Sequence, residues 1–293
     1  GQSGLHISSL FPHLSKHADD LCLLRGMHCD QPNHSQANAQ THTGTFQFVR
    51  PSIGSWSLYG LGTENANLPG FIALNPRPGS SQHFGSSFLP AICQGTKIGT
   101  DQRLQRLASR FGRGQEDPTP KIPNIENPKL SKNLQRIQLD LVQSLNQNKL
   151  DRDVHQPEVE GVIESFELAY RMQDEMPELV DIANEPQEVL DLYGVGNSDT
   201  DGFARQCILA RRMAEAGVRF IELTHGASWD QHRNLKEDLA RNCGQTDQPI
   251  AALLTDLKRR DMLKDTLVIW AGEFGRTPHG QGGDGRDHNA KGY

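Results

Sequence analysis

Apolar and polar positions are most regularly ordered in the last third of the chain. Phe203–Ala216 reads as a helix, and Gly217 stands where a helix ends in a left-handed turn. Val218-Arg-Phe-Ile-Glu-Leu-Thr224 follows as a strand. A helix over Asp247–Arg260 comes next, with Asp247 as its N-cap. Thr266-Leu-Val-Ile-Trp-Ala271 is apolar enough to predict a strand buried on both faces, as in a parallel sheet. Helix, strand, helix and strand in alternation predict an α/β fold, a three-layer α/β/α with a mostly parallel sheet. The strands at 218–224 and 266–271 are expected to be parallel neighbours joined by a right-handed crossover.

Upstream the signals are shorter. A helix is expected over Ser8–His17, leading into Leu21-Cys-Leu-Leu24. Residues 28–50 are rich in His, Asn, Gln and Thr, which suits a loop or a helix start packed under a site. Ser55–Gly62 predicts a short helix, and Phe71–Leu74 a short buried strand before the turn-forming Asn75-Pro-Arg-Pro-Gly79. Residues 95–128 read as an irregular excursion. Leu134, Ile137, Leu141 and Leu145 recur at helical spacing within Ser131–Leu150, and Val159, Ile163, Phe166 and Tyr170 within Glu158–Gln173. The chain is expected to be one domain over 1–293, with a helical insertion or connector at 95–200.

Composition narrows the classes. The chain has 293 residues, of which 35% are hydrophobic, within the globular range and far from disorder. A formal net charge of −6 argues against a nucleic-acid-binding surface, which is normally basic. No apolar run approaches the roughly 18 residues of a transmembrane segment. Cys22, Cys29, Cys93, Cys207 and Cys243 are scattered and odd in number, so they specify neither a disulfide framework nor a cysteine zinc site. Both ends read as cut, so any targeting signal is expected outside the sequence.

Potential ligands gather where an open parallel sheet places its sites, beyond the carboxyl ends of strands. After Val218–Thr224 comes His225-Gly-Ala-Ser-Trp-Asp230-Gln-His232-Arg-Asn234; after Thr266–Ala271 comes Gly272-Glu273-Phe-Gly-Arg276; a third cluster, Gly285-Arg286-Asp287-His288-Asn289, follows a glycine-rich loop. Carboxylate with imidazole suits zinc, manganese or iron. Arg276 and Arg286 are of the type that binds a sulfate or phosphate in two-pronged fashion. Taken singly, each group has a plainer role: a helix cap for Asp230 and His232, an ion pair for Glu273 and Arg276, a solvated loop for Asp287 and His288. Their joint placement favours a site.

These segments also resemble a known family. Asp265-Thr-Leu-Val-Ile-Trp-Ala-Gly-Glu-Phe-Gly-Arg-Thr-Pro278, Ser228-Trp-Asp-Gln-His-Arg-Asn234 and Gly285-Arg-Asp-His-Asn289 are similar to the signatures of a planctomycete-type, sulfatase-like family of unknown function. Leu10-Phe-Pro-His-Leu14, Asp19-Asp-Leu-Cys-Leu-Leu-Arg25, Pro32-Asn-His34 and Thr43-Gly44 fit the same family, so the resemblance spans the chain. It implies an alkaline phosphatase-like fold, incomplete at both ends, and an exported or periplasmic protein, otherwise a cytoplasmic one. It implies divalent metal ions, with zinc, calcium or manganese as candidates. Asp230, His232 and His288 would hold one ion and Glu273 a second, with Asp287 beside them. Glu273-Phe274 departs from the usual Asp-His or Asp-Asn pair, and the family's first-strand Asp and final His segment lie outside this sequence, so a complete two-metal site is not expected here.

Counting back from Thr43-Gly44 to where sulfatases carry a Cys or Ser lands on His34, with Ser35 beside it. Asn33, His34 and Ser35 are therefore the catalytic candidates, with Cys29, Thr43 or a metal-activated water as alternatives. The implied activity is metal-dependent hydrolysis of sulfate or phosphate esters, on small molecules or polysaccharide. The other reading is a non-catalytic binding or assembly protein that keeps the fold. His34, His232 and His288 are expected to converge with Asp230 and Glu273, while His13, His17 and His155 sit on exposed helical surfaces.

Overall fold

A computed structural model describes residues 1–76, 81–99, 125, 127–152, 157–226 and 228–292. The chain divides into two compact units, one of Gly1–Val49, Ile182–Glu215 and His225–Tyr293, the other of Arg50–Asp181 and Ala216–Thr224. The described residues are mixed α/β, with a three-stranded parallel sheet and seven α-helices.

The second unit carries the sheet. β1 (Phe71–Leu74) is buried throughout and lies between β2 (Thr96–Ile98) and β3 (Phe220–Leu223). Both pairings are parallel, with Ile72 opposite Thr96 on one side and Ile221 on the other. A continuous Phe-Ile-Ala-Leu run is what a strand paired on both edges and covered on its faces requires. Phe71, Ala73, Phe84, Leu89, Cys93 and Leu58 form the core, with Phe220 edge-on to Phe71 at 5.0 Å. Leu58 comes from α2 (Ile53–Leu61), whose N-cap Ser52 accepts from the Ser55 N–H. β2 was not anticipated in the stretch read as irregular, because three residues with Lys97 at the centre carry no alternation. The rest of that stretch, apart from 95–99, 125, 127 and 128, lies outside the described residues.

α3 (Lys132–Leu150) is capped by Ser131, and α4 (Pro157–Val180) runs beyond the expected Gln173. They lie side by side, joined by a two-pronged Arg136–Glu167 contact at 3.0 and 2.8 Å. The helical spacing of Leu134, Ile137, Leu141 and Leu145 is real, yet all four side chains are exposed.

The first unit is helical. α1 (His34–Thr43) and α5 (Gln187–Tyr193) accompany the packed pair α6 (Asp201–Glu215) and α7 (Leu235–Arg259). Cys207, Ile208 and Met213 of α6 and Leu253, Leu254 and Leu257 of α7 are buried. Arg211 is 3% exposed and pins this packing: Nη2 lies 2.7 Å from Glu185 and Nε 3.1 Å from Asp256, close enough for strong attraction without hydrogen-bond alignment, while Nη1 donates to Glu215 at 2.7 Å.

Three expectations are corrected here. The helix over Ser8–His17 is only a single 3-10 turn, Leu14–His17. Asp247 is not an N-cap of its own helix, because α7 starts twelve residues earlier at Leu235 and carries Pro249 inside it. It does cap, but another segment: its two carboxylate oxygens accept from the His13 and Leu14 N–H groups at 2.8 Å each. Thr266–Ala271 forms no strand and is not β3's neighbour; that place is held by β1. Its Leu267 is 84% and Ile269 66% exposed, and Trp270 meets Phe11 edge-on at 5.4 Å. A strand exists only through a partner's hydrogen bonds, and apolarity alone does not supply one.

Candidate metal centre

Three segments of the first unit bring ionisable side chains together. α1 begins at His34 because the Asn33 side chain accepts from the Ser35 and Gln36 N–H groups at 3.1 and 3.4 Å, a standard capping arrangement. The loop before α7 is held by Asn242, fully buried, and by Gln231, both donating to the Ser228 carbonyl, at 2.6 and 2.7 Å. β4 (Gly275–Arg276) and β5 (His288–Asn289) pair antiparallel, with Arg276 opposite His288. A small core of Cys29, Ala37 and Phe274 ties α1 to this hairpin, and Cys29 N–H donates to the Ala290 carbonyl at 2.8 Å.

Asp230 is at the centre. Its Oδ1 lies 3.0 Å from His232 Nε2 and 3.1 Å from His288 Nε2, and the two imidazole nitrogens are 3.1 Å apart. Its Oδ2 lies 3.1 Å from His34 Nε2. His34, Asp230 and His288 offer ligand atoms that all fall within 4.8 Å of one another. The outer nitrogen of each ring has its own acceptor: His34 Nδ1 meets Glu273 Oε1 at 2.5 Å, His232 Nδ1 meets Gln281 Oε1 at 2.6 Å, and His288 Nδ1 meets the Pro32 carbonyl at 2.5 Å. Burial by itself would push the Asp230 carboxyl up, but hydrogen bonds from Arg276 and His288 and the nearby positive charge hold it down at about 2.

The donor set suits a divalent cation. Bonds of about 2.1 Å to one ion at tetrahedral angles would separate their donors by about 3.4 Å, and the Asp230, His232 and His288 atoms stand 3.0–3.1 Å apart, within a few tenths of an ångström of that spacing. All the side chains are partly open, from 18% for His288 to 38% for His232, so an ion has access.

The other anticipated residues are placed differently. Arg276 Nη1 donates to Asp230 Oδ1 at 2.6 Å and Nη2 to the Trp229 carbonyl at 3.3 Å, so in this structure it serves the carboxylate and not an anion. Arg286 turns back on the Gly285 carbonyl at 2.8 Å. Asp287 is peripheral, 4.0 Å from His232 Nδ1. Ser35 is exposed in the first turn of α1, Thr43 donates to backbone carbonyls, and Cys29 donates to Gln40. His13 is exposed; His17 instead is largely buried, meeting Asp20 at 3.3 Å and Thr255 at 3.1 Å; His155 lies outside the described residues. Gln281 and the Pro32 carbonyl were not anticipated. The glycines around Gln281 mark a tight loop, but nothing in the pattern names its side chain as a histidine partner.

Fold and site together define a mixed α/β protein with a histidine-rich candidate metal centre. The chain belongs to the family described as protein of unknown function (DUF1501), whose profile matches residues 1–293. No curated protein and no solved structure matches it. Among the described residues no helix is long and apolar enough to cross a membrane.

Proposed function

We propose that the chain is a metal-dependent hydrolase of sulfate or phosphate esters, alkaline phosphatase-like in its arrangement, acting on a small molecule or polysaccharide as an exported protein. One observation carries this reading: the donors of Asp230, His232 and His288 stand at the mutual distances that a single divalent ion would bridge. When bound, such an ion supplies Lewis-acid stabilisation of charge developing on an ester oxygen. The chain's own residues hold and orient. Arg276 fixes the Asp230 carboxylate, and Glu273 fixes the His34 ring. His34, 36% exposed, stands at the open edge of the cluster with Nε2 against Asp230 Oδ2.

A second reading, a non-catalytic binding or assembly protein, is favoured by two observations. Arg276 is committed to Asp230, and the hydroxyl of Thr43 and the thiol of Cys29 are bonded elsewhere. Metal analysis of the purified protein, paired with turnover of aryl sulfate and aryl phosphate esters, separates the two. The hydrolase reading expects turnover that disappears together with bound metal in Asp230→Ala and His232→Ala. Metal-replete wild-type protein that turns over neither ester would reject it.

A further inference from the structure

We infer that the centre takes a single ion held by three imidazoles and one carboxylate, His34, His232, His288 and Asp230, and that Glu273 is an outer positioning residue and not a ligand. Such a site selects zinc or cobalt over calcium and magnesium. This rests on the metal-binding half of the reading above and is independent of hydrolysis.

The placement of the ring edges carries the inference. The Pro32 carbonyl has no hydrogen to give, so His288 Nδ1 must be the donor of their 2.5 Å contact. The Glu273 carboxylate and the Gln281 amide oxygen face Nδ1 of His34 and of His232 in the same way. All three rings therefore turn Nδ1 outward to an oxygen and point Nε2 inward at the Asp230 carboxylate. The Nε2 atoms of His232 and His288 stand 3.1 Å apart, both against Asp230 Oδ1. His34 Nε2 adds to the pattern: it is buried and has no hydrogen-bond partner, although Asp230 Oδ2 lies 3.1 Å away, because the approach is not aligned for an N–H donor. An outward Nδ1–H on a carboxylate, amide or carbonyl oxygen is how metal-ligating histidines are oriented.

Glu273 Oε1 sits on the Nδ1 edge of His34, the edge away from the converging Nε2 atoms. It stands in the outer partner's place and does not bridge to a second ion. Calcium takes 6–8 oxygen donors and magnesium keeps several waters, whereas imidazole suits zinc and its transition-metal neighbours. A set with three nitrogens and one carboxylate is built for the latter.

The test uses the full chain stripped with a chelator and titrated with cobalt(II), followed by its visible absorption, and with zinc in competition against a chromophoric chelator. The expected result is one tight ion per chain, not displaced by millimolar calcium or magnesium. His34→Gln, His232→Gln, His288→Gln and Asp230→Asn should each weaken zinc by more than about 100-fold, while Glu273→Gln should weaken it by about 10–100-fold with the stoichiometry and cobalt spectrum unchanged. Two tight ions in the wild type, one of them lost in Glu273→Gln, would overturn the assignment, as would calcium competing at parity with cobalt. Wild-type stoichiometry and spectrum decide the matter even where a variant fails to fold, as shown by circular dichroism. Metal bound as described with no ester turnover would leave this inference standing and remove the hydrolase reading alone.

Discussion

Gly285→Ala is the smallest change that tests whether the glycine-rich loop sets the geometry of the centre. A Cβ at this position would run into the carbonyl group of His232 and the nitrogen of Arg233, all of them backbone atoms. A side-chain tip could rotate away; a backbone cannot, so the loop must retreat from residues 231–234. That loop is stitched in place by Arg286 N–H donating to the Gln231 carbonyl at 2.9 Å, by the Gln281–His232 contact at 2.6 Å and by Asn234 N–H donating to Asp284 at 2.9 Å. Overpacking of this kind costs about 1–3 kcal/mol. Losing the Arg286 hydrogen bond adds about 1 kcal/mol. The sum of about 2–4 kcal/mol corresponds to a fall in Tm of about 4–16 °C for a unit of this size. Once Gln281 lets go of His232, zinc affinity should drop by about 10–100-fold, the usual loss for a missing outer partner. Thermal melts of metal-free protein and zinc competition titrations read the two effects separately. Gly244→Ala is the control: it lies inside α7 with open space around its would-be Cβ, and there the exchange should stabilise by about 0.4–1 kcal/mol. If Gly285→Ala melts like Gly244→Ala and binds zinc like the wild type, the loop does not position His232 and the reasoning fails.

Two further outcomes concern the helical unit. Arg211→Ala removes a buried guanidinium, but Glu185 keeps Arg212 at 2.6 Å, and Asp256 and Glu215 keep Arg260 at 2.8 and 2.7 Å. The cost should therefore fall at the low end for a broken buried pair, about 3 kcal/mol, or about 6–12 °C in Tm; a loss below about 1 kcal/mol in denaturant titration would show the network to be dispensable. The Glu185 carboxyl is opposed by its burial but held below its ordinary 4.5 by the Arg212 hydrogen bond and the charge of Arg211. A depressed carboxyl contributes stability above its unfolded value, and that contribution is lost as pH falls through the folded one. Melting curves should thus show stability declining as pH drops below 4.5, and Glu185→Gln should flatten that decline; an equally steep acid limb in the variant would assign it to other groups.

Local structure was largely legible in the sequence because it depends on neighbours a few residues apart. The Leu134, Ile137, Leu141, Leu145 spacing marks α3, and Gly217 with φ +86 the turn after α6. Phe71–Leu74 and the heart of Val218–Thr224 are legible as apolar runs, and their mutual pairing makes them strands. Where such cues conflict the reading slips: Asp247 followed by Pro249 imitates a helix start, while the true start at Leu235 follows Asn234 in a left-handed conformation with no side-chain cap.

The candidate ligands were also visible as residue types, since carboxylate and imidazole beside glycines at segment ends are few. Their roles were not. Glu273 and Asp230 are alike in sequence, yet one is on the outer edge of a histidine and the other at the middle of three. Arg276 could equally meet an anion, and only the fold turns it onto Asp230. The apolar run Thr266–Ala271 shows the same limit from the other side, for it has the composition of a central strand and no partner. Periodicity and capping are properties of one segment and can be read from it. Strand pairing, the orientation of a histidine ring and the sharing of a carboxylate are properties of two or three segments, and they exist only once the chain has brought those segments within about 3 Å of each other.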